Sequence, residues 1–247
     1  MNPLLKLLKI QTSKSNLRVQ QKDQAEATIY LYDAIGAYWG IGAKQFVDEL
    51  NAITVPKIHL RINSPGGDVF EARAMSTAIR AHSAKVIAHV DGVAASCASW
   101  IALACAEVEI AQGAFFMVHN SWTWTIGNKA DHEAAIKLLA KIDNSIARDY
   151  QEKTGKDTQQ VQQWMDEETW FTADEALAAG FADRIADGEK AADLAWDIAA
   201  AYPKAPAALK SSNPPNPAAA PGGNAETQHD FECEHRERRA RALVGIA

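Results

Sequence analysis

From about residue 27 to residue 180, short runs of β-branched and aromatic residues alternate with stretches of helical apolar spacing. That alternation is the strongest constraint on the fold. Strands and helices taken in turn bury their apolar faces most simply as an α/β layer structure around a largely parallel sheet. "ATIYLYDAI" (27–35) and "KIHLRIN" (57–63) read as strands. Between them, "GAKQFVDELNAI" sets Phe46, Leu50 and Ile53 at helical spacing, and a second helix follows Gly67 with Met75, Ala78 and Ile79 on one side. The strand "AKVIAHVDG" (84–92), an almost wholly apolar helix from about Ser96 to Ala106, and the strand-like "VEIAQ" and "AFFMVHN" come next. A long amphipathic helix is predicted over 129–153, striped by Ile136, Leu139, Ile142, Ile146 and Tyr150. A last helix opens at Thr172, with Glu175 in capping-box spacing and Gly180 as its stop.

Composition divides the chain. Six of the nine prolines fall between Pro203 and Pro221. So little bulky apolar surface cannot offset the entropy of ordering, so 201–228 reads as a flexible linker. The expected organisation is an N-terminal segment (1–24), an α/β domain (25–200), this linker, and a charged C-terminal element (229–247). The net charge of −6 argues against a nucleic-acid binder that relies on a phosphate-neutralising surface, and no nucleic-acid partner is expected. Cys97, Cys105 and Cys233 form no CxxC pair and leave an odd one out, which fits a reducing, cytoplasmic setting. The N-terminus lacks a signal-peptide pattern, and no apolar run approaches bilayer-spanning length, so no membrane association is expected.

Four features carry chemistry. In "DGVAASCASW" (91–100) a strand hands over to a helix at Ser96, where the helix dipole and free N–H groups favour negative charge. Small neighbours would admit a substrate backbone. The plainer reading is an N-cap, and Cys97 competes as a nucleophile on chemistry alone. "RINSPGGDV" (61–69) follows a strand with a Pro-Gly-Gly turn whose N–H groups could receive an oxyanion. His119 ends an apolar strand, at the edge where α/β sites gather. His59 and His89 lie inside strands, His82 and His132 on helix surfaces, and His229 and His235 beyond the linker. Asp166, Glu167 and Glu168 offer a carboxylate just before the last helix. No HExxH, Walker or GxGxxG pattern occurs, so neither metal nor cofactor is expected.

Each signal alone is modest. In chain order they supply an oxyanion donor, a nucleophile, a base and an orienting acid, the full set for acyl transfer from an amide. At this point "INSPGGDVFEA", "DGVAASCASWIA", "FFMVHN" and "ETWFTADEALAAGFAD" resemble the successive blocks of the Clp-type serine proteases. Within them, the likeness is to the head maturation (prohead) proteases of tailed bacteriophages and prophages, and it covers about residues 25–190. The resemblance implies Ser96 as nucleophile, His119 as base, and the amides of Gly67 and Cys97 as oxyanion hole. It aligns Glu168 with an acid that is Asp in the housekeeping enzymes, with Asp166 as the alternative. It also implies a Clp/crotonase-like spiral of ββα units with a protruding handle helix, a ring-forming homo-oligomer, and polypeptide substrates among capsid or scaffold proteins. On that reading the enzyme works in the host cytoplasm or inside assembling heads, and the need for an ATPase partner stays open. Trp122 and Trp124 are assigned either to a substrate groove or to a subunit contact. Two rival readings use the same fold, an acyl-CoA hydratase or isomerase and an inactive scaffold subunit. The intact Ser–His pair argues against both.

Overall fold

The computed structural model describes residues 17–21, 23–190 and 198–209. The charged element 229–247 and residues 210–228 of the expected linker lie outside the described residues. One sheet organises the rest, in the order β1 (Leu17–Gln21), β2 (Glu26–Leu31), β3 (Lys57–Ser64), β4 (Lys85–Ala95), β5 (Glu107–Gln112), β8 (Arg184–Lys190). The pairs from β2 through β5 and on to β8 are parallel, and β1 adds antiparallel to β2. The mixed α/β architecture expected from the alternation is therefore present.

β4 decides where the site falls. Its first half, Ile87–Val90, pairs with β5, and its last residues, Val93–Ala95, pair in parallel with β6 (Phe115–Val118). β6 in turn pairs antiparallel with β7 (Thr169–Thr172). The strand is long enough to serve two neighbours in succession, so its carboxyl end is carried past β5 and meets a different strand. Parallel strands buried on both faces read as continuous apolar runs, and β4 is buried from Val86 to Ala95.

The helices follow their apolar spacing. α1 (Ala43–Asn51) buries Phe46 and Leu50, and α2 (Val69–Ala81) buries Ala72, Met75, Ser76 and Ile79. α2 is capped by Asp68, whose side chain accepts from the N–H groups of Phe70 and Glu71. α3 (Cys97–Leu103) is buried along its whole length. α4 (Lys129–Thr154) is the long amphipathic helix, and only Ile146, Ala147 and Tyr150, near its C-terminal end, are buried. There it is tied down: Asp149 accepts from Trp100 Nε1 (2.5 Å) and from Arg73 Nη1 (2.8 Å), and the Arg73 guanidinium lies over the Trp100 ring. The first half of its predicted stripe is not covered, and Ile136 and Leu138 stand exposed. α5 (Thr158–Asp166) was not anticipated by the sequence. α6 (Ala173–Ala179) carries the expected Thr172–Glu175 capping box and ends on Gly180 in the left-handed region (φ 91°).

Residues 201–209, at the start of the stretch read as a linker, pack against the domain. α7 (Ile198–Ala201) leads into Tyr202, and a 3-10 turn follows at Ala207–Leu209. Ile198, Tyr202, Ala205 and Leu209 are buried. Lone apolar residues in a Pro- and Ala-rich run give no periodicity, but spaced in this way they reach a shared surface.

Candidate active site

Ser96 is held in a conformation that a side-chain-bearing residue rarely adopts, φ 56° and ψ −130°. Such a backbone costs on the order of 1–3 kcal/mol and persists only where its surroundings over-determine it. They do so here. The Ser96 N–H donates to Met117 O (3.0 Å), fastening it to β6. Its carbonyl accepts from the Ser99 N–H (3.0 Å) and from the Ser99 hydroxyl (2.6 Å). The same Ser99 hydroxyl is bonded to Tyr150 OH (2.8 Å), on the anchored end of α4. The turn between β4 and α3 is thus a strained strand-to-helix elbow that presents the Ser96 side chain, though without the GxSxG sequence.

The β4–β6 register brings the histidine to it. Ala95 stands opposite Met117, so His119, two residues on, comes alongside the elbow. His119 Nε2 lies 2.7 Å from Ser96 Oγ. Burial pushes the imidazole down from its usual 6.5 to about 4, so the ring is neutral at ordinary pH. With the Ser96 hydroxyl as donor, the neutral ring accepts at Nε2 and carries its own proton on Nδ1. His59 and His89 are elsewhere. They bond one another (Nδ1 to Nε2, 2.8 Å), and His89 continues to Glu109 (2.8 Å), in a polar ladder across the sheet.

The Gly66–Gly67 turn abuts the elbow. A Cβ on Gly66 would stand 2.7 Å from Ser96 Cβ and 2.6 Å from Ala95 O, and one on Gly67 would stand 2.0 Å from Ile35 O. Both residues have positive φ, 86° and 152°, so glycine is required on conformation as well as on space. The turn also reaches the Cys97 amide, whose N would lie 3.2 Å from a Cβ on Gly66, and backbone hydrogen bonding favours the Cys97 thiolate against the larger, opposing effect of burial. Burial wins and raises that thiol to about 12, and Cys97 is only 4% exposed. The thiol is therefore no competitor for the hydroxyl at its side. Cys105 is raised to about 12 in the same way.

Neither candidate acid touches His119. Glu168, itself at positive φ (51°), accepts through Oε1 from Trp170 Nε1 (3.3 Å) and from the Lys204 N–H (3.0 Å). Asp166 accepts from Asn120 Nδ2 (2.7 Å). Among the described residues no carboxylate is bonded to the imidazole, and burial alone accounts for its lowered pKa. The structure thus brings together Ser96, His119, Gly67 and Cys97 and leaves Glu168 and Asp166 apart from them. Trp122 and Trp124 are exposed in the irregular segment after His119.

Sequence reasoning missed Ser99 and Tyr202, and placed Tyr150 on the apolar stripe of the long helix without its bond to Ser99. Ser99 had a signal, since a hydroxyl three residues after a helix-initiating serine can reach back to its carbonyl. Tyr202 had none beyond being the one aromatic residue in a Pro- and Ala-rich stretch. No group of His, Cys, Asp and Glu able to hold a metal occurs among the described residues, and no described helix is long and apolar enough to cross a membrane.

Comparison with known proteins gives a consistent picture. The sequence model of the Clp protease family matches residues 17–189. An ATP-dependent Clp protease proteolytic subunit of Streptococcus suis is 31% identical over 137 residues, covering 54% of this chain and 70% of that protein. Proteolytic subunit 1 of Protochlamydia amoebophila is 28% identical over 179 residues, covering 70% of this chain and 86% of the relative. Proteolytic subunit 2 of Tropheryma whipplei is 28% identical over 130 residues, 52% of this chain and 72% of its own length.

Proposed function

The chain belongs to the Clp protease family and is a serine-type peptidase, and from that premise we propose that Ser96 is its nucleophile, His119 its general base and Glu168 the acid that orients the histidine. The observation that carries this reading is the 2.7 Å contact between Ser96 Oγ and His119 Nε2 at a strained elbow. His119 takes the hydroxyl proton as Ser96 Oγ attacks a peptide carbonyl carbon. The carbonyl oxygen becomes an oxyanion between the Gly67 and Cys97 amides, whose N–H groups are fixed by the backbone and need no reorganisation. The tetrahedral adduct collapses as His119 gives the proton to the leaving amine. Water then attacks the acyl-serine by the same route reversed, with His119 again taking the proton. Glu168 serves when its carboxylate leaves Lys204 and meets the Nδ1 proton.

The relatives bear the name of ATP-dependent Clp protease subunits. For this chain we infer an endopeptidase that processes capsid or scaffold proteins during phage head maturation. That inference is supported by the likeness of the four blocks "INSPGGDVFEA", "DGVAASCASWIA", "FFMVHN" and "ETWFTADEALAAGFAD", taken together, to those enzymes. Exposed Ile136 and Leu138 on the free half of α4 give a subunit of a ring a surface to bury. The test is to co-express the chain with the capsid and scaffold proteins of a tailed phage. Cleavage by the native chain and none by Ser96→Ala supports the reading. Equal cleavage by both, or none by either, contradicts it.

A further inference from the structure

We propose that the cleft beside Ser96 and His119 is a docking surface for the chain's own segment Ile198–Leu209, which closes the site as a strap and keeps the enzyme inactive until it is displaced. The proposal rests on the reading of Ser96 and His119 as the catalytic pair.

The segment contributes four of the seven buried residues of a small apolar cluster separate from the main core. Val93 and Ala95 at the end of β4 and Met117 in β6 supply the floor, and Ile198, Tyr202, Ala205 and Leu209 cover it. Those floor residues lie one to three positions before the serine and the histidine in the chain. The cleft is therefore apolar where a substrate side chain would enter, and it is already occupied.

Tyr202 is the centre of the contact. Its ring meets His119 edge to face, with 5.5 Å between centroids, and meets Trp170 at 5.7 Å. Its hydroxyl donates to Pro65 O (2.5 Å), on the turn that carries the Gly67 amide, and also interacts with the Ser96 side chain. One buried side chain thus touches the base, the nucleophile and the oxyanion turn. A peptide carbonyl approaching Ser96 Oγ has to displace it.

Lys204 completes the closure from the other side. Its N–H holds the Glu168 carboxylate, and its Nζ donates to Glu167 O. The carboxylate that the mechanism needs on His119 Nδ1 is thereby retained on the strap. Lifting the segment opens the cleft and at the same time frees the carboxylate from the shorter of its two bonds, leaving only Trp170 Nε1 at 3.3 Å. Because the strap is tethered in cis, its effective concentration is high, and a substrate must outcompete it rather than simply bind.

The test compares full-length native chain, Tyr202→Ala and Tyr202→Phe by the rate at which a fluorophosphonate labels Ser96. The proposal expects labelling of Tyr202→Ala about tenfold faster or more, as for a site whose open form is a minor population. Tyr202→Phe, which keeps the ring but loses the hydroxyl's bond to Pro65 and its interaction with Ser96, should fall between. Equal or slower labelling of both variants overturns the proposal. The second readout is the His119 titration by NMR, which does not depend on catalysis. Opening the cleft should move that titration upward in Tyr202→Ala, and an unmoved titration overturns the strap. Should Ser96 label in none of the three, the catalytic assignment falls, and the histidine titration alone decides whether the strap is seated. Where Tyr202→Ala does not fold, Tyr202→Phe decides by the same two readouts.

Discussion

Ser96 Oγ and His119 Nε2 stand 2.7 Å apart although 23 positions separate them in the chain. The meeting is produced by a register, not by a loop. β4 outlasts its pairing with β5 and ends against β6, so Ala95 faces Met117 and the next residues of both strands are brought to one edge. Each functional group then has a local cause. The strained turn presents the hydroxyl, the strand end presents the imidazole, and two glycines let the Pro65–Gly67 turn reach the elbow.

Glu168→Gln is expected to leave the fold intact and lower kcat. Removing the orienting charge from a serine triad costs about 10⁴-fold in well-studied cases, because the histidine loses its tautomer and its partner when protonated. Steady-state peptidase kinetics on the purified variant measure it, and a loss under about threefold contradicts Glu168's assignment.

Ser99→Ala removes one of the two hydrogen bonds to the Ser96 carbonyl and strips the buried Tyr150 hydroxyl of its partner. The expected stability cost is about 1–3 kcal/mol, the usual penalty for a buried polar group left unpaired. Because the hydroxyl positions the elbow without touching substrate, kcat should fall while KM stays near its native value. Ser99→Thr, which keeps the hydroxyl, should restore much of the loss. A fall in stability with kcat unchanged would show Ser99 to be structural only.

The depressed His119 pKa sets a pH window. The folded protein holds the imidazole neutral down to about 4, whereas in the unfolded chain it takes up a proton near the ordinary 6.5. Above about 6.5 the group is neutral in both states and contributes no pH dependence. As pH falls from about 6.5 to about 4, protonation favours the unfolded chain, and stability is lost progressively. His119→Gln lacks this loss. The native Tm minus the variant Tm should therefore shrink between pH 7 and pH 4.5 in thermal melts, and a constant difference contradicts the burial.

Much of this was legible in the sequence, for reasons that differ by element. Phe46 with Leu50 and Met75 with Ile79 repeat at helical spacing because each helix buries one face on the sheet, and that face is what periodicity reports. The capping box at Thr172 and Glu175 and the stop at Gly180 are local chemistry, readable wherever they occur. α5 was not legible, because "TQQVQQWMD" buries only Val161 and Met165. β1, "LRVQQ", is an edge strand in which no residue is fully buried, so it lacks a strand-like apolar pattern. At the site, the order of the motifs pointed to Ser96 and His119, whose side chains are in contact, while the Gly67 and Cys97 amides came from the family resemblance alone. The place of Glu168 was not readable, because it depends on Lys204, thirty-six positions on, in a stretch whose composition resembles a linker. Composition speaks for a segment's average tendency, while Tyr202 and Leu209 act as individual residues on a surface the rest of the fold provides.

The central claim is that the hydroxyl at position 96 is activated by the ring at position 119. Prolonged incubation of the native chain with a fluorophosphonate, followed by mass spectrometry of the intact protein and of its peptides, tests it most directly. The account predicts a single adduct, mapped to Ser96, absent from Ser96→Ala and slowed by several orders of magnitude in His119→Ala. No adduct on the native chain, or an adduct on any other residue, would contradict it.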